Sequence, residues 1–138
     1  MNRDHFHKLA ELRIQDAEAL LQLGRFSAAY YFSGLAVECA LKACIAKQTA
    51  AYDFPDPKRA QKSWTHDLDE LQKTAELADK FSGKNSDSAS FAANWNTVKE
   101  WQINCRYDSE ISEAKAQELF RSVTESQNGV LPWLRTLW

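Results

Sequence analysis

Glu38 and Lys42 are the only charges in the run Ser27–Ala46, SAAYYFSGLAVECALKACIA. Four apart, with Glu N-terminal to Lys, they share one helix face and can pair. Tyr30 and Gly34 continue that face, giving a polar stripe Tyr30–Gly34–Glu38–Lys42. Two chemistries remain open for it. The pair is a structural ion pair on a partly exposed face, worth little, or it lines a ligand groove with Arg106 and Tyr107. If buried, both charges need partners. A second candidate set is Lys58, Arg59 and Lys62, just upstream of Trp64 and of a helix start at Thr65–His66. A helix N-terminus with cations and a stacking ring suits a nucleotide. The alternative is a solvated loop with a Trp tucked into the bundle. Cys105 is the one thiol with a cation, Arg106, next to it in sequence, which could lower its pKa. Cys39 and Cys44, five apart in an apolar run, read as packing.

Other chemistry lacks its residues. His5 and His7 are two apart and point to different sides of a helix. There is no Glu-x-x-His, Cys-x-x-Cys or His-Glu-x-x-His pattern, so no protein-made metal site is expected. The four glycines are scattered and build no phosphate-cradling loop, and no cofactor is expected. A net charge of -2 offers no global attraction for nucleic acid or an anionic membrane, so such binding needs a local patch. Three cysteines, an odd number, read as reduced thiols in a cytoplasmic protein. The opening MNRDHFHKLAEL lacks the apolar run of a signal peptide. The central run approaches membrane length, but its Glu and Lys and its many alanines make it a core helix, and no membrane is expected as a partner.

The elements that must hold these groups are helical. At 138 residues the chain is expected to form one domain. A first helix spans 3–23, with Phe6, Leu9, Ala10, Ala17, Leu20 and Leu21 at helical spacing, and Gly24 stops it. The central helix follows at once and ends near Gln48 or Thr49, so the first two form an antiparallel hairpin. Residues 50–64 are expected to be the one long loop, since Pro55 and Pro57 oppose helix. Thr65 caps a third helix running from His66 to about Phe81, and Ser82–Ser90 is a flexible turn. A fourth helix covers roughly 87–105, with Phe91, Trp95, Val98, Trp101 and Cys105 in phase. Ser112 caps a fifth. Asn128–Gly129 breaks it, and a last helical piece reaches Leu137. The expected architecture is an all-α, up-and-down bundle of about five helices. Small residues on the central helix (Ala28, Ala29, Gly34, Ala36, Ala40, Ala43) allow another backbone to approach, from this chain or a second copy. Trp133 and Trp138 end an apolar tail that needs cover, which favours a homodimer.

GRFSAAYYFSGLAVECALKA, followed by THDLDEL and a further helix ending in Arg106–Tyr107, resembles the HEPN domain over nearly the whole chain. This small prokaryotic bundle implies dimerisation through its helices. Its members include metal-independent endoribonucleases of toxin–antitoxin and defence systems, many paired with a minimal nucleotidyltransferase, and others associated with nucleotide binding. The ribonuclease members carry Arg, four to six residues, then His. Arg106 matches the Arg, but Ile111, Ser112 and Glu113 occupy the positions for the His. None of them replaces an imidazole as a proton acceptor and donor near neutral pH. The resemblance therefore implies a non-catalytic bundle binding a nucleotide, a nucleic acid or a nucleotidyltransferase, with Arg106, Tyr107, Glu38, Lys42 and His66 near one groove. Two alternatives stand beside it: a ribonuclease with a rearranged site using Arg106, His66 and Glu110, and a purely structural dimerisation module.

Overall fold

The computed structural model describes residues 1–49, 54 and 56–138, and no strand occurs among them. Helix α1, Arg3–Gln22, starts at Asn2, whose side chain accepts from the His5 N–H. It ends at Gly24, whose φ of +73° places it in the left-handed region that glycine enters at no steric cost. The Arg25 N–H reaches back to the Leu20 carbonyl at 2.8 Å, closing the helix end. Helix α2, Phe26–Thr49, follows and folds back along α1, whose Ala10, Ile14 and Ala17 are buried. Ala10 and Ala17 are small enough to let the two backbones approach closely.

α2 is the hub, buried on almost every side from Ala29 to Ile45. It is long and apolar enough to cross a membrane, and 72% of its apolar window is buried inside the bundle. α1, α4 (Leu68–Thr74), α7 (Glu113–Thr124), α8 (Val130–Leu134) and a 3-10 turn at Ile103–Tyr107 all pack against it.

The structure divides the chain more finely than the sequence reading. Residues 50–53 and 55 of the expected loop lie outside the described residues, but Pro57–Lys62 forms a helix, α3. Pro57 occupies its first turn, where the missing N–H has no intrahelical partner to lose, and Asp56 caps it by accepting from the Lys58 N–H at 3.0 Å. The single third helix is two, α4 and α5 (Ala78–Asp87). Glu76 separates them in the left-handed region, φ +57°. The Leu77 N–H bonds the Gln72 carbonyl across it at 3.0 Å. Asp67, not Thr65, caps α4, accepting from the Glu70 N–H. The stretch 82–87, expected as a turn, is helical within α5. Phe81 anchors it against Trp95 and Trp133, with centroids 4.3 and 4.6 Å away.

Ser88 caps α6, Ala89–Lys99, by accepting from the Phe91 N–H. The expected continuation to residue 105 is instead the 3-10 turn. Ser112 caps α7 as expected, and the Ile111 N–H donates to Ser27 Oγ at 3.1 Å, tying this joint to the start of α2. Helix α8 ends at Leu134 rather than Leu137. It admits Pro132 because the first-turn amides have no partner within the helix. The apolar tail is partly covered within the chain. Trp133 packs on Phe81 and Phe91, and Trp138 lies against His7 with ring centroids 4.2 Å apart and planes tilted by 39°. Arg135 forks onto the Glu11 carboxylate at 2.7 and 2.9 Å.

Candidate functional site

The stripe on α2 is not one continuous groove. Tyr30 is buried, and its hydroxyl pKa is raised, chiefly by burial and further by Cys105, Glu100 and Glu118 nearby. Gly34 is covered by the Trp101 indole. Glu38 and Lys42 lie one and two turns further along and face different company.

Glu38 is the best-buried carboxylate of the site, its side chain 5% exposed. Lys42 Nζ and His66 Nδ1 both bond its Oε1, each at 2.9 Å. A carboxylate only accepts, so His66 bonds it through Nδ1–H. The His66 side chain is 46% exposed, whereas Lys42 is 11% exposed. Glu38 Oε2 is buried and makes no hydrogen bond. The sequence expectation that a buried pair needs further partners is met on one oxygen only.

Beside this cluster, at the C-terminal end of α2, lies a cleft of about 650 Å³. Lys42, Ile45, Arg59, Ser63 and Trp64 line it, with Phe6 of α1. Arg59 donates to Gln48 Oε1 and lies 3.8 Å from Glu76 Oε1. Its Nε is buried without a hydrogen-bond partner among the described residues. Asp56 and Glu76 also face the cleft, so its cations are partly offset. Trp64 is not tucked into the bundle; it is 67% exposed. The N-terminus of α4 is not an open anion site, because the Asp67 carboxylate occupies it with Asp69 and Glu70 in the first turn.

Arg106 and Tyr107 lie on the 3-10 turn, near the other half of α2. Both are exposed, and the guanidinium carbon stands 4.9 Å over the Tyr107 ring. Among the described residues, no hydrogen bond or ion pair joins them to Glu38, Lys42 or His66. Glu110 is exposed, its amide bonded to Asp108. The structure thus brings together three of the five expected groove residues. It adds Arg59 and Trp64, which the sequence offered as a separate set.

Arg106 does not activate Cys105. Burial, the largest influence, pushes that thiol up to about 11, against a lowering by the Trp101 indole. Burial likewise pushes Cys39 and Cys44 up to about 11, which suits packing rather than nucleophilic work. Among the described residues no three His, Cys, Asp or Glu side chains form a metal-holding group. Comparisons with protein-family models, with curated proteins and with solved structures found no match.

Proposed function

We propose that this is a HEPN-type helical bundle that binds a nucleotide, or the nucleotide units of a nucleic acid, without cleaving it. The observation that carries the reading is the cleft beside Lys42. It combines a nearly buried ammonium, a guanidinium with an unpartnered Nε and the open face of Trp64. A phosphate takes the cations, Arg59 exchanging the distant Glu76 for it, and a base stacks on the indole. The Arg-to-His spacing of the ribonucleases is incomplete here, and Arg106 stands away from His66. A homodimer, a nucleotidyltransferase partner, a place in a toxin–antitoxin or defence system and a cytoplasmic location belong to the same reading through the resemblance.

Calorimetry with ATP, cyclic AMP and short RNAs tests it. Binding is expected to be lost in Lys42→Met and retained in Arg106→Ala. No heat with any of these ligands contradicts the reading. Loss in Arg106→Ala alone moves the site to the 3-10 turn.

A further inference from the structure

We propose that protonation of His66 regulates the cleft by deciding whether Lys42 answers to Glu38 or to the ligand. The inference rests on the nucleotide reading above and adds its control.

One oxygen, Glu38 Oε1, accepts from both Lys42 Nζ and His66 Nδ1 at 2.9 Å. Lys42 faces the cleft and is nearly buried, while His66 is half open to water. When His66 is neutral, Lys42 is the only charge balancing a carboxylate that is 5% exposed. Turning Lys42 toward an anion then strands a buried charge, which is costly. When His66 is protonated it balances Glu38 itself, and the Lys42 charge is released to the cleft. Anion affinity therefore rises when His66 takes up a proton. By linkage, anion binding draws a proton onto the protein.

The other charged groups at the cleft are Asp56, Arg59 and Glu76, and those at the start and along α4 are Asp67, Asp69, Glu70 and Lys73.

The test has two arms. NMR follows the Lys42 ε-methylene against pH without ligand. The resonance is expected to move through the histidine range in the wild type and to stay still in His66→Gln. A still resonance in the wild type overturns the switch, whatever binds. Calorimetry then uses cyclic AMP, because a phosphodiester keeps one charge where a phosphomonoester titrates. Its affinity is expected to be about tenfold tighter near pH 6 than near pH 8, and flat in His66→Gln. Binding of equal strength at both pH values overturns the switch but leaves the cleft reading intact. No binding at either pH, with the Lys42 resonance still moving, removes the nucleotide reading and the regulation with it, and leaves only the shared-carboxylate coupling.

Discussion

Trp101 lies with its indole against the backbone of Gly34, leaving no room for a β-carbon. The ring is 1% exposed, and Tyr31 stacks on it with planes 18° apart. Gly34→Ala gains about 1 kcal/mol of helix propensity. It loses more, because the ring is clamped and must be displaced. The expected net loss is about 2 kcal/mol, read from urea unfolding. An unchanged midpoint would show that the indole can swing aside freely.

Glu38→Leu leaves Lys42 nearly buried without its counter-charge. The expected loss is about 3 kcal/mol. Adding Lys42→Met removes the stranded ammonium and should recover most of it, since an apolar pair of similar volume is often as stable as a buried ion pair. A double variant as unstable as the single one would argue against the charge being the cause.

The three thiols set an alkaline limit. Their folded values near 11 lie above the ordinary 9.0, so the unfolded chain releases these protons first. Their contribution is fully present below about pH 9 and is lost as pH rises through about 11. The raised Tyr30 hydroxyl acts in the same direction. Unfolding midpoints measured across this window should fall, and fall less steeply in Cys44→Ala.

Glu76 holds a left-handed backbone without being glycine. Glu76→Gly should therefore raise stability, by about 1 kcal/mol. Only its loose pairing with Arg59 at 3.8 Å is given up. Thermal unfolding checks the sign.

Trp64 is the one tryptophan among the described residues that stands mostly in solvent, at 67% exposed. Trp64→Ala should change stability by less than about 0.5 kcal/mol while weakening nucleotide binding about tenfold, the worth of one stacked base. Calorimetry and urea unfolding on the same preparation separate the two effects.

Much of the scaffold was legible because local signals carried it. The apolar run of α2, the stop at Gly24 and the cap at Ser112 need only their neighbours. The break at Glu76 was not legible, since the left-handed residue there is not the glycine that usually announces it. The helix through Ser82–Asp87 is polar and contains Gly83. It forms because Phe81 is held by Trp95 and Trp133 from distant segments. At the site, the Glu38–Lys42 spacing spoke for itself, whereas the link from Glu38 to His66 spans 28 positions. No periodicity reports such a contact. Arg106 stood out through the family pattern, and its place on the 3-10 turn depends on where α6 ends, which the in-phase Trp101 and Cys105 concealed.

The cover that α7 and α8 give α2 sets an order of events in the cell. A nascent chain delivers α2 long before α7 and α8 exist to cover their side of it. Until those segments emerge, that greasy flank is bare on the ribosome, open to chaperones and to mispairing.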